Sequence, residues 1–488
     1  MKNLRVVLIF ITALVLSACG SSSSDEKSTE IHQLEIPINT SSEAFVNDRV
    51  QIADKEGNIF YVWEGSQDKY PQKLLGARNT ATGWEDFVVL TNGSRPIISY
   101  QWLVTPSGDV YVAWVDGIKK TNQMHLKLVH YSKQTNTWSP AVLVASYDSV
   151  SYEIDPDNYK RLDEILDVKL GLDANEDLVI AWQQRSRLAN DSDGSGYISE
   201  LVNQRYVVGS GLQGSPIVFW NYSKYGITAN LVTATRIGDM VQSSDATFIS
   251  VQKSEDYGVP RGDELLVCAS HLCESSNLTK VLGSFDSGLP SKLSINHQNQ
   301  VFWTKGDAYL RAATIYEPVE GLGKTDKLIL SEGSMSSAQS PTIIDGGGVG
   351  HFLWLVNDVL YSSQFNAVTG WSTREEIKTS NIPMQSKSIV NAINPEGVLY
   401  ALWPYKAKSG MNSMILGGYQ IYAYSESAGW QGCLTIKNST NGYALRQYLA
   451  FNNVSEPIVV WLASEGAPKL DVKDSTSIYF IKVSRKSS

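Results

Sequence analysis

Gly108–Trp114 reads GDVYVAW: a Gly–Asp turn, a run of β-branched, aromatic and small residues, then a Trp. The pattern returns as GNIFYVW at Gly57–Trp63, EDLVIAW at Glu176–Trp182 and NQVFW at Asn299–Trp303. It recurs again as GVGHFLW at Gly348–Trp354, GVLYALW at Gly397–Trp403 and EPIVVW at Glu456–Trp461. β-branched and aromatic residues suit a pleated, half-buried surface, so each copy is a strand that follows a turn. The Trp-to-Trp interval is 51 from Trp63 to Trp114, 51 from Trp303 to Trp354 and 49 from Trp354 to Trp403. Strand-rich units repeated about every 50 residues are the sequence signature of a β-propeller. The expected fold is therefore all-β, a single propeller of four-stranded blades.

Blade number follows from the gaps. Trp182 and Trp303 are 121 residues apart, enough for one further unit. A degenerate copy fits there as Ala229–Ile237, Ala246–Gln252, Glu264–Ala269 and Leu278–Phe285, with Val251 near the place of the missing Trp. That gives eight blades; seven with one long insertion is the alternative. Each unit opens with an inner strand and a turn, as in Asp54-Lys55-Glu56-Gly57, Thr105-Pro106-Ser107-Gly108 and Asn394-Pro395-Glu396-Gly397. Asp or Asn accepts a local backbone hydrogen bond, Pro presets φ, and Gly supplies the left-handed position. A second Trp precedes the fourth strand at Trp84, Trp138, Trp371 and Trp430. The last copy stops at its third strand, Ile478–Val483, while the chain starts with an orphan apolar segment, Gln33–Ile38. That segment is expected to complete the last blade and close the ring, removing both sheet edges.

The first 20 residues carry an address. Lys2 and Arg5 precede the apolar run Val6–Leu16, which is too short to span a bilayer stably. The run ends in Leu16-Ser17-Ala18-Cys19, which resembles the lipobox of bacterial lipoproteins. The resemblance implies a signal peptide over residues 1–18 and lipidation of Cys19 with diacylglycerol and an acyl chain such as palmitate. Gly20 follows, where lipoproteins held in the inner membrane carry Asp, so the resemblance points to the outer membrane. Residues 19–30 are polar and read as a lipidated tether, leaving residues 31–488 as the propeller. The formal charge of −9 becomes −11 once Lys2 and Arg5 leave with the signal, which argues against nucleic acid as a partner. The membrane is met through the lipid anchor alone, and a monomer is expected.

Cys268 and Cys273 flank Ala-Ser-His-Leu, a spacing that suits a disulfide in an oxidising compartment; a Cys/His/Cys metal site with His271 lacks an evident fourth ligand. Cys433 reads as a buried free thiol on an outer strand. Asp191-Ser192-Asp193-Gly194-Ser195-Gly196-Tyr197-Ile198-Ser199 resembles the first nine positions of an EF-hand-type calcium loop. That resemblance implies one structural calcium held by Asp191, Asp193, Ser195, the Tyr197 carbonyl and Ser199. Position twelve departs from it, being Val202 in place of a bidentate Glu. A Gly/Ser/Asp-rich surface turn without an ion is the other reading of the same residues.

Catalytic signatures are absent: no GxSxG, no HExxH, no phosphate loop and no Rossmann glycines. The chain resembles the sialidase-like and lectin-like propellers in its Trp-ended repeats and in Ser94-Arg95-Pro96-Ile97, an echo of the sialidase arginine motif. It lacks their Asp boxes between third and fourth strands, and no arginine triad is assigned. No catalytic residue is assigned either. His125, His130, Tyr131 and Arg161 are the candidates if the protein is a polysaccharide lyase or glycoside-cleaving enzyme. Trp102, Trp220, Tyr222 and Tyr225 fall outside the repeat pattern and are the candidate sugar-stacking residues. The leading expectation is an outer-membrane binding or scaffolding module for a glycan or envelope protein; a structural surface lipoprotein is the third reading.

Overall fold

The computed structural model describes the strands and most short turns between residues 29 and 483. Residues 1–28, 36–53, 66–72, 149–163, 188–196, 225–233, 255–261, 283–291, 317–326, 331–342, 380–388, 407–415, 465–475 and 484–488, with other short gaps, fall outside the described residues. Every described element is a strand or a turn, and the strands pair into eight antiparallel sheets of four or five strands. The architecture is an all-β β-propeller. In seven of the sheets all strands come from one continuous stretch of chain, a meander built from one repeat; the eighth joins Thr29–Glu35 to three strands from the C-terminal part of the chain. Two compact units contain them: Ser41–Leu330 holds five sheets, and Met1–Thr40 with Ser331–Ser488 holds three.

The second strand explains the repeat. Val110–Ile118 is buried continuously from Val110 to Asp116, so both of its faces are covered. In one direction Tyr111, Ala113 and Val115 pack with Ile165, Val168, Leu170 and Ile180 of the following sheet. A strand covered on both faces reads as an unbroken apolar run rather than an alternating one. Six of the seven repeat Trp residues fall on second strands, and Trp63 lies on Ile59–Gly65, the first described strand of its sheet. Trp114, Trp182, Trp354 and Trp403 are each 1–2% exposed. The degenerate copy forms its own sheet, Ala234–Gln242, Thr247–Ser254, Gly262–Cys268 and Leu278–Leu282, with Val251 fully buried.

The turns that lead into the Trp-bearing strands share one construction. Asp54 Oδ1 accepts the Glu56 and Asn58 N–H groups at 3.0 and 2.9 Å. Asp173, Asp345 and Asn394 do the same for the residues two and four places on, at 2.8–3.1 Å. Thr105 Oγ1 serves the fifth turn through the Asp109 N–H at 2.9 Å. The fourth residue is left-handed: Gly108, Gly348 and Gly397 have φ of 96, 84 and 83°, and the exposed Glu176 has φ 61°.

Both chain ends meet in one sheet. Thr29–Glu35 pairs antiparallel with Thr476–Val483, Thr29 opposite Val483 and Glu35 opposite Ser477. The N-terminal segment thus supplies the missing fourth strand, but its position differs from the expected Gln33–Ile38. It takes Thr29 and Glu30 from the stretch read as tether, and Ile36–Ile38 lie outside the described residues. A ladder draws on an unbroken series of N–H donors, which Pro37 interrupts and Thr29–Glu35 supplies.

Candidate functional site

In the sheet formed by Ile97–Val104, Val110–Ile118, Gln123–Ser132 and Val142–Asp148, polar side chains gather where the second strand turns into the third. Register sets the group: Asp116 lies opposite His125, and Ile118 opposite Gln123. Arg95 stands two residues before the first strand, whose Ile97 also pairs with Asp116. Asp116 is 3% exposed, and its Oδ2 accepts the Trp114 indole N–H at 3.1 Å and the Lys127 ammonium at 2.7 Å. Asp116 Oδ1 accepts no hydrogen bond, and His125 Nδ1 stands 3.6 Å from it.

Part of this group is architecture. In the next sheet the Trp182 indole donates to Gln184 Oε1 at 3.1 Å, again two residues on along the second strand. Asp116 and Gln184 are therefore indole acceptors that let a repeat Trp be buried without an orphaned N–H. Lys127 neutralises the acid used for this purpose.

Arg95 has no such explanation. Its Nη1 lies 2.9 Å from His125 Nδ1 and 3.3 Å from Nε2, and its Nη2 donates to Gln123 Oε1 at 2.8 Å. Both partners are polar groups without negative charge, and Arg95 pairs with no carboxylate among the described residues. The neighbouring sheet supplies Asp167, whose Oδ1 accepts the Ser99 hydroxyl at 3.2 Å and the Val168 N–H at 2.8 Å, and whose Oδ2 is 3.3 Å from Lys169 Nζ. Arg95, Gln123 and His125 thus form a partly exposed set of donors and acceptors at a sheet edge, of the kind that orients a polar ligand.

The lyase set does not assemble. His130 is 4% exposed, with Nε2 3.2 Å from Asp109 Oδ2 and its ring stacked on Tyr111 at 4.8 Å. It is fixed to the turn at the far end of the strand, about 16 Å from His125 along five residues of extended chain. The Tyr131 hydroxyl donates to Asn136 and accepts from Arg78, and Arg161 lies outside the described residues.

Among the candidate stacking residues, Trp102 is 1% exposed and meets Tyr61 edge-on at 6.1 Å between two sheets. No sugar reaches it; first strands as well as second ones carry core Trp. Trp220 is half-buried and packs against the core around Phe219, Ile237 and Ile249. Tyr222 lies on the outer strand Gly211–Lys224 opposite Ser199, and Tyr225 is outside the described residues.

Of the calcium loop, Tyr197 and Ser199 belong to the third strand Tyr197–Val207, while Asp191, Asp193 and Ser195 lie outside the described residues. Ser199 is fully buried, and its hydroxyl accepts from Gln183 Nε2 at 3.0 Å, so it faces the core and leaves the ligand set. No group of three or more His, Cys, Asp or Glu side chains suited to a metal occurs among the described residues. Cys268 and Cys273 form the disulfide, with Cα atoms 5.2 Å apart, which removes both as thiolate ligands. Cys433 sits on the fourth strand Gly429–Lys437, and Cys19 lies outside the described residues. No described helix is long and apolar enough to cross a membrane.

No protein-family profile matches the chain, and no curated protein is similar to it. Solved structures do align. The BP39L lectin from Burkholderia pseudomallei gives a TM-score of 0.42 at 10% identity, covering 84% of this chain and 99% of the lectin. The polysaccharide lyase Uly1 gives 0.45 at 10% identity, covering 96% of this chain and 95% of the lyase. The NanB sialidase from Streptococcus pneumoniae gives 0.39 at 8% identity, covering 82% of this chain and 70% of that one.

The sequence signal missed for this site was the acid in the apolar run. Asp116 interrupts the run two residues after Trp114, at the position that Gln184 takes after Trp182.

Proposed function

We propose that the protein is an outer-membrane lipoprotein, acylated at Cys19, whose propeller binds a glycan. The observation that supports the glycan reading is the Arg95–Gln123–His125 set, whose exposed donors and acceptors suit sugar hydroxyls and ring substituents. In this reading the eight sheets are eight blades of one ring, and Thr29–Glu35 completes the last. Asp191, Asp193 and Ser195 hold a structural calcium that braces the hairpin leading into Tyr197–Val207. The molecule acts as a binding module and not as a lyase, because His125, His130 and Tyr131 stand apart and each has a structural partner.

A glycan array probed with purified residues 20–488, read for both retention and product release, tests the reading. Retention without turnover, lost on Arg95→Ala, is the expected result. Release of shortened glycans would replace the binding module by an enzyme. Silence on the array, with capture of an envelope protein instead, would overturn the glycan reading.

A further inference from the structure

We infer that Arg95 is an anion receptor, and that the preferred ligand is an acidic sugar presenting a carboxylate or a sulfate group. The inference rests on the glycan-binding reading and narrows it. An arginine carries five N–H donors in a planar fork, of which the contacts to His125 and Gln123 occupy two. The other three have no protein acceptor among the described residues, and the side chain is partly exposed.

The local charge balance points the same way. The group contains two permanent cations, Arg95 and Lys127, and one acid, Asp116. Lys127 Nζ lies 2.7 Å from Asp116, so that pair cancels and the Arg95 charge is left over. Asp167 of the adjacent sheet is engaged by Lys169, Ser99 and the Val168 N–H. In a chain of net charge −9, a guanidinium held by two groups without negative charge is an exception to its surroundings. Holding a cation with an imidazole and an amide leaves its charge undiminished while fixing its direction. A fork fixed in this way binds a carboxylate or sulfate bidentately, with less ordering entropy to lose than a free side chain.

The carboxamide of Gln123 fits this use. Its oxygen faces Arg95 at 2.8 Å, which turns its two N–H donors elsewhere, towards a sugar hydroxyl or the second edge of the anion. His125 holds the other side of the fork and lies opposite Asp116, so its place is set by the strand register. The competing role for Arg95 is a strut that ties the start of the first strand to the start of the third. A strut contributes to stability and is indifferent to ligand charge, so the two roles separate by experiment.

The test measures binding of the purified protein to three soluble polymers by calorimetry. They are a polyuronate, a sulfated polysaccharide and a neutral glucan, with the carboxyl-reduced polyuronate and the desulfated polymer as matched controls. The expected result is binding of an acidic polymer that disappears with its reduced or desulfated form, which also identifies the anion. Arg95→Gln, which keeps a polar side chain of similar reach, should weaken that binding by roughly tenfold or more, the usual size for losing one partner of a close charge pair. Gln123→Ala should weaken it less, and Lys127→Met should leave it within about threefold because its charge is already spent on Asp116. Thermal unfolding of each variant checks that the fold survives. Unchanged affinity in a folded Arg95→Gln protein overturns the inference. Binding of neutral glucan alone overturns it while leaving the glycan reading in place, and binding of no polymer removes both.

Discussion

Replacing Asp116 by Ala should destabilise the protein by about 2–3 kcal/mol, and the size follows from what is orphaned. The Trp114 indole N–H is buried and loses its only described acceptor, a loss that costs about 1–3 kcal/mol for a buried donor. Lys127 loses its ion-pair partner, but its side chain is 26% exposed and turns to water, which limits that term to roughly 0–1 kcal/mol. The comparison with the following sheet sharpens the expectation. Gln184 accepts the Trp182 indole, so Asp116→Gln should retain the acceptor and lose only the charge, costing about 1 kcal/mol. A double-mutant cycle with Lys127→Met should give a coupling of about 0.5 kcal/mol or more with Asp116. Urea unfolding followed by Trp fluorescence measures the parent and each variant, provided the slope with denaturant stays constant. If Asp116→Ala falls within about 0.5 kcal/mol of the parent, or if Ala and Gln are equivalent, the indole-acceptor account is wrong.

Three further outcomes are expected. Glu176→Gly should stabilise relative to Glu176→Ala by about 1 kcal/mol, because Glu176 occupies the left-handed position that Gly108, Gly348 and Gly397 fill in the sister turns; denaturant midpoints decide it. Burial pushes the Asp345 carboxyl up, but hydrogen bonds from His351, Val349 and Gly347 outweigh this and hold it below its ordinary 3.8. A depressed acid contributes stability above its unfolded value and loses it as pH falls through the folded one. The stability advantage of the parent over Asp345→Asn should therefore be full at neutral pH and shrink below about pH 3.8, as read by unfolding midpoints across pH. Deleting residues 29–35 should lower the melting temperature by several degrees, since it strips seven paired residues from Thr476–Val483; an unchanged melting curve would refute the pairing.

The fold was legible because its decisive strand is covered on both faces. Burial of Val110–Asp116 on each side leaves a run that only a doubly packed strand tolerates, and repetition multiplies the signal. The turns were legible for a separate reason, since Asp54, Asp173, Asp345 and Asn394 advertise a side-chain hydrogen bond that only short polar residues make. The candidate site was not legible, because Arg95 precedes the first strand while Gln123 and His125 open the third, and pairing through the second strand brings them together, which single-strand patterns do not encode. Trp102 misled for a related reason. Departure from the repeat was read as exposure, yet its strand is an inner one whose face packs on Tyr61 of the neighbouring sheet. Ser199 shows the same limit, as its place in a calcium-like motif gives no hint that Gln183 lies across the ladder.

The sheet that joins Thr29–Glu35 to Thr476–Val483 also imposes an order of events on synthesis. Among the described strands, the first of these leaves the ribosome before any other, and its partner leaves last. Until the final turn of the chain is made, the early strand has only unpaired backbone groups to show, an open template for other chains. The entropy of closing so long a loop grows only logarithmically with length, so the delay is one of timing more than of equilibrium cost. Completion of that sheet thus reports that the chain has been made as far as Val483. A chain cut short anywhere before Val483 would keep an exposed edge that quality control can recognise.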